Sequence, residues 1–118
     1  MNPNFIYNKV DRWTVIEFRT PSLMDPPLLE SMQADLLRLV EVEDRRNVIL
    51  DFARVQYVSS QAIGIVIHMH KKITALSNSK LVLCSVPPKI MELLKILKLD
   101  RILTIVPTQK EAVNVLAK

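Results

Sequence analysis

Two adjacent serines, Ser59 and Ser60, stand between the apolar run NVILDF and an apolar, helix-spaced run that begins at Ala62. A hydroxyl at such a junction can do two kinds of chemistry. It can accept a hydrogen bond from an amide two or three residues on and cap the helix, a contribution of about 1 kcal/mol. It can also accept a phosphoryl group, which adds roughly 1.5 to 2 negative charges that a helix N-terminus tolerates and an opposing protein surface need not. The other groups with chemical potential are Asp51, His68 and His70. A nucleophile and its base must lie within hydrogen-bond reach, and the helical rise puts His68 about 12 Å along the axis from Ser60. Asp51 is embedded in a strand-like run with no glycine-rich loop beside it to cradle phosphates. His70 falls on the flank of the apolar arc, where a half-buried, hydrogen-bonded histidine is expected. An enzyme is disfavoured on these grounds, and no cofactor or metal ligand set is expected.

At about 100° per residue, Ala62, Ile63, Ile65, Val66, Ile67, Met69, Ile73 and Leu76 gather on one arc, predicted to face a sheet. Ser60, Gln61, Gly64, His68, Lys71, Lys72 and Ala75 fall on the other, with Ser60, Gly64, His68 and Lys71 in line. Gly64 is the only glycine in the chain. Inside a helix it costs roughly 1 kcal/mol against alanine, so something should compensate. Two accounts stand side by side: a neighbouring loop packs on the bare backbone, or a partner approaches there.

The elements that must position these residues follow from pattern. Phe5 to Val10 and Trp13 to Phe18 read as strands of a hairpin around Asp11-Arg12. Asp25-Pro26-Pro27 opens a helix that carries Leu28, Leu29, Met32, Leu36, Leu39 and Val40 on one side and runs to about Glu43. Asn47 to Phe52 is a buried-type strand, and the helix from Gln61 to about Leu76 follows. Lys80 to Cys84 is a further strand, and Ser85 is the expected cap of a proline-led helix through Ile90, Met91, Leu94 and Leu97. Ile102 to Val106 can be a last strand, and Thr108 to Glu111 has capping-box spacing ahead of a terminal helix from Ala112 to Ala117. Strands alternating with helices predict an α/β fold: one domain over residues 1–118, a mixed, mostly parallel sheet of four to five strands, and about four helices.

Composition narrows the function classes. The 118 residues are 49% apolar and carry a net charge of +4, with a single cysteine, Cys84. One cysteine allows no intrachain disulfide and no cysteine cluster for zinc, which favours a reducing cytoplasmic setting. The N-terminal residues lack the order of a signal peptide, and no apolar run approaches the roughly 20 residues that span a bilayer, so no membrane insertion is expected. The cations, among them Arg45, Arg46, Lys71, Lys72, Lys95 and Lys98, are scattered and mixed with acids, which argues against nucleic acid.

The run NVILDFARVQYVSSQAIGIVIHMHKKI resembles the signature of STAS domains, the family of bacterial anti-sigma factor antagonists, and the likeness extends through KLVLC, the proline-led helix and the Leu99-Asp100-Arg101-Ile102 turn. The family's motif is an Asp-Ser-Ser-Gly-Leu-Gly-like sequence ahead of a helix. In phosphorylated members, the serine after the motif's aspartate is modified by a kinase that is also the anti-sigma factor, and only the unmodified form binds it. By position that serine is Ser60, with Ser59 the rival acceptor, and Gly64 matches the second glycine. Ser59 stands in place of the aspartate, Gln61 in place of a second serine and Ala62 in place of the first glycine.

The resemblance therefore implies an anti-sigma factor antagonist, a cytoplasmic switch controlled by phosphorylation of Ser60. Its docking face comprises Ser59, Ser60, Gln61, Gly64, His68 and Lys71; its partner is an ATP-binding serine kinase, with a phosphatase to reverse the modification. The alternative is an unphosphorylated interaction module, either a stressosome-type scaffold or the STAS subunit of a lipid-transporting ABC system. The oligomeric state is open.

Overall fold

Asp11, with φ at +54°, turns the chain between two six-residue strands, β1 (Phe5–Val10) and β2 (Trp13–Phe18), which pair antiparallel from Phe5 opposite Phe18 to Val10 opposite Trp13. A short polar side chain is among the few that tolerate this left-handed geometry. The computed structural model describes residues 4–43 and 45–115. A two-residue strand, β3 (Ser22–Leu23), precedes α1 (Pro26–Glu41), where the Asp25 carboxylate accepts from the Leu28 amide at 3.2 Å. There follow β4 (Asn47–Asp51), β5 (Tyr57–Val58), α2 (Ser60–Thr74), β6 (Lys80–Cys84) and α3 (Pro88–Ile96). A 3-10 turn (Leu99–Arg101), β7 (Thr104–Val106) and α4 (Gln109–Asn114) complete the order.

The main sheet runs β1-β2-β4-β6-β7, with every pair parallel except the opening hairpin. The expected mixed, mostly parallel sheet with four helices is what the chain forms. Strand alternation divides the core in two. Val48, Leu50, Leu81 and Leu83 face the layer made by α1, α2 and α3, whereas Val15, Ile49, Val82 and Cys84 meet Ala112 of α4. Trp13 belongs to the second cluster, and its indole N–H donates to the Val113 carbonyl at 2.9 Å, fastening α4 to the hairpin.

Several boundaries differ from expectation. α1 ends at Glu41, two residues early, and α2 runs from Ser60 to Thr74. Ser85 does not cap α3: it adopts φ +55°, and Pro87 takes the cap position without a side-chain bond. β7 starts at Thr104 because the Ile102 and Leu103 amides both donate to the Leu99 carbonyl and so close a turn. Thr108 caps as expected, accepting from the Glu111 amide at 3.2 Å, but α4 begins directly after it at Gln109. The predicted end of that helix, residues 116–117, lies outside the described residues.

Candidate docking face at the start of the second helix

The two serines have different fates. Ser59 is extended (φ −95°, ψ 169°); its Oγ accepts from the Ala62 amide at 3.2 Å and its carbonyl from the Ile63 amide at 3.1 Å. Its hydroxyl is therefore committed to capping α2. Ser60 is the first residue of α2, is exposed, and its hydroxyl has no protein partner among the described residues. A helix leaves its first four amides without intrahelical partners. The Ser59 hydroxyl takes that of Ala62 and the Ser59 amide itself donates to the Leu23 carbonyl, so among the described residues the amides of Ser60 and Gln61 remain for solvent or for a group that docks there.

The segment before α2 is held at two points. Asp51, 7% exposed at the end of β4, accepts from the Ala53 amide through Oδ1 and from the Gln109 side-chain amide through Oδ2, both at 2.9 Å. Downstream, β5 pairs in parallel with β3, and the Ser59 amide donates to the Leu23 carbonyl at 3.0 Å. That bond sets the peptide leading into Met24 beside the start of α2. Met24 and Tyr57 are both exposed, and Lys89 at the start of α3 places its Nζ 5.2 Å from the centre of the Tyr57 ring.

The predicted stripe is only partly reproduced. Ser60, Gln61, Gly64 and Lys71 are exposed, as expected. His68 is half-buried against α1, with Nδ1 3.2 Å from Nε2 of Gln33. Lys72 likewise reaches α1, pairing with Glu41 at 3.1 Å. The polar arc thus faces α1 along one edge and solvent along the other. Val66, Ile67 and Leu76 are only half-buried, so the apolar arc is narrower than predicted. Ile67 lies seven residues beyond Ser60 and adds a partly exposed aliphatic side chain to the solvent edge. His70 is half-buried, but its Nδ1 is buried with no partner among the described residues, contrary to the expected hydrogen-bonded ring.

A Cβ on Gly64 would meet nothing within 4 Å. Among the described residues no loop packs on the bare backbone there, so the loop-packing account is not what the fold shows. Beneath the first turn lies an apolar void of about 30 Å³ lined by residues such as Val58, Ala62, Ile63 and Val66. With no polar wall it has nothing to hold a water or an ionic ligand. Tyr57, Met24, Ile67 and Lys89 were not singled out from sequence. An exposed aromatic three residues ahead of Ser60 was the available signal for Tyr57; Met24 and Lys89 arrive only through folding.

Fold and face together define an α/β domain that presents a free hydroxyl at the start of a helix. The STAS domain family model matches residues 7–112, and the chain belongs to the STAS domain family. Solved structures of the same fold include a Thermotoga maritima protein described as an anti-sigma factor antagonist, at 20% identity and TM-score 0.85 over 99% of this chain and 97% of that one. A STAS-domain anti-sigma factor antagonist protein from Planctomyces limnophilus is 23% identical with TM-score 0.81, each chain covered to 92%. The Bacillus cell fate determinant SpoIIAA in its phosphorylated form is 20% identical with TM-score 0.72, over 93% of this chain and 96% of that one. At these identities the likeness is one of fold.

Proposed function

We propose that this chain is an anti-sigma factor antagonist, a non-enzymatic binding domain whose face at the start of α2 docks on a kinase-type anti-sigma factor and is switched by phosphorylation of Ser60. The division of labour between the serines carries the reading: Ser59 is engaged in the cap, whereas Ser60 offers an exposed hydroxyl at a helix start. The phosphorylated form of SpoIIAA supports it by analogy. A phosphoryl group on Ser60 would sit beside the open amides of the first turn and within the favourable end of the helix dipole, so the fold tolerates the charge. A partner packed over Gly64 and Ile67 would meet a bulky dianion instead.

The test is incubation of the protein with its cognate kinase and ATP, followed by phosphosite mapping. Phosphate is expected on Ser60, retained in Ser59→Ala and absent in Ser60→Ala. Binding of Ser60→Asp to the kinase should be weakened at least about tenfold, since burying a charge against an unprepared surface costs more than 1.4 kcal/mol. Wild-type affinity in Ser60→Asp would refute the switch while leaving docking intact.

A further inference from the structure

The C-terminal end of α3 and the turn after it carry three large aliphatic side chains that nothing in the described fold covers: Ile96 at 71% exposed, Leu97 at 50% and Ile102 at 60%. They fall within seven residues, interleaved with exposed Lys95, Lys98 and Arg101, none of which has an ion-pair partner among the described residues. Asp100 is the only acid in that span. The segment is firmly seated, because Ile90 and Leu94 anchor the inner face of α3 and Leu99 packs against the same core. Lys98 adopts φ +60°, and its amide and that of Leu97 donate back to Lys95 and Leu93, so the chain reverses sharply at the tip. Three bulky apolar groups exposed within seven residues and interleaved with three unpaired cations are distinct from the scattered single apolar residues of an ordinary surface.

From this arrangement we propose that the α3 tip is a peripheral contact for the surface of an anionic lipid bilayer. A bilayer supplies both complements at once: a hydrocarbon boundary for Ile96, Leu97 and Ile102, and headgroup phosphates for Lys95, Lys98 and Arg101. Lipids diffuse to the cations, so no fixed register of carboxylates is required, whereas a protein partner would have to offer an apolar pocket and several acids in one geometry. The contact lies on the membrane and does not span it: no helix of the described residues is long and apolar enough to cross one. The site is separate from the Ser60 face and does not depend on the role of that residue.

Co-sedimentation with vesicles tests it, using phosphatidylcholine alone and phosphatidylcholine mixed equally with phosphatidylglycerol. The expected result is binding to the anionic vesicles only, weakened by salt, reduced about fivefold for each cation removed and also reduced in Ile96→Ser/Ile102→Ser. Lys98→Gly is the variant least able to disturb folding, since glycine suits its backbone geometry while deleting one charge; Ser60→Ala should bind as wild type. Failure to sediment with anionic vesicles at low salt overturns the proposal. So does binding that survives the double serine variant unchanged, which would be bulk charge adsorption, or retention by poly-glutamate without retention by vesicles, which would assign the tip to an acidic protein.

Discussion

At the scale of single residues, Ser59, Ser60 and Gly64 at the start of α2 do different work, and substitution separates them. Ser59→Ala removes the acceptor of the Ala62 amide and is expected to destabilise the fold by about 1 kcal/mol, whereas Ser60→Ala, exposed and unpartnered, should stay within about 0.5 kcal/mol of wild type. Urea unfolding followed by the fluorescence of Trp13, the only tryptophan, gives both values. Gly64→Ala should stabilise by about 0.5 to 1 kcal/mol, because a methyl group there meets open space and removes backbone freedom from the unfolded chain. The same change is expected to weaken partner capture if the bare backbone is where a partner approaches. A destabilised Gly64→Ala would mean that the helix surface there is closed, contrary to the geometry.

At the scale of elements, the start of α2 is placed by what precedes it in space more than in sequence. Asp51 joins the loop after β4 to α4, and β5 leans on β3; together they fix the height and direction from which Ser59 enters the helix. Asp51→Ala leaves the Ala53 amide and the Gln109 amide without their acceptor in a largely buried spot. The expected cost is about 2 to 3 kcal/mol. A double-mutant cycle with Gln109→Ala should return a coupling above about 0.5 kcal/mol, since the two side chains bond directly; additivity would disprove the link. The Gln33 to His68 bond and the Lys72 to Glu41 pair join α1 to α2 along the opposite edge. The proposed docking face is therefore framed by α1 on one side and by Lys89 of α3 over Tyr57 on the other.

At the scale of the whole molecule, the sheet is covered unequally: three helices on one face, the short α4 on the other. Cys84 lies under that thinner layer, fully buried. Burial, with smaller contributions from the charges of Asp51 and Glu17, pushes its thiol from 9.0 up to about 12, despite an opposing hydrogen bond with Ser85. The folded protein thus keeps a proton that the unfolded chain releases above about pH 9. Because the unfolded state binds fewer protons there, stability must fall as pH rises from about 9 toward 12. Cys84→Ala should show a shallower decline over that range in thermal unfolding. Native protein at pH 8 should react with a thiol reagent at least about tenfold more slowly than unfolded protein, a thiolate being the reactive species.

Much of this was written locally. The 3.6-residue spacing of α1 and α2, the proline-led starts, the hairpin at Asp11-Arg12 and the cap at Thr108 follow from neighbours in sequence, and hydrophobic burial enforces them. The two serines likewise marked where α2 begins. What local pattern does not encode is which surface each face meets. Val66 and Ile67 share the apolar arc yet stay half-buried, His68 turns from solvent toward Gln33, and Ser85 bends to φ +55° instead of capping, because adjacent elements fix their surroundings. The two-residue pairing of β3 with β5 is too short to leave a periodic signal, and it brings Met24 beside the start of α2 from a segment more than thirty residues away. Sequence determined the elements and the residues with chemistry at their ends; tertiary structure decided which of those residues remain free, since freedom at a surface depends on what packs beside it.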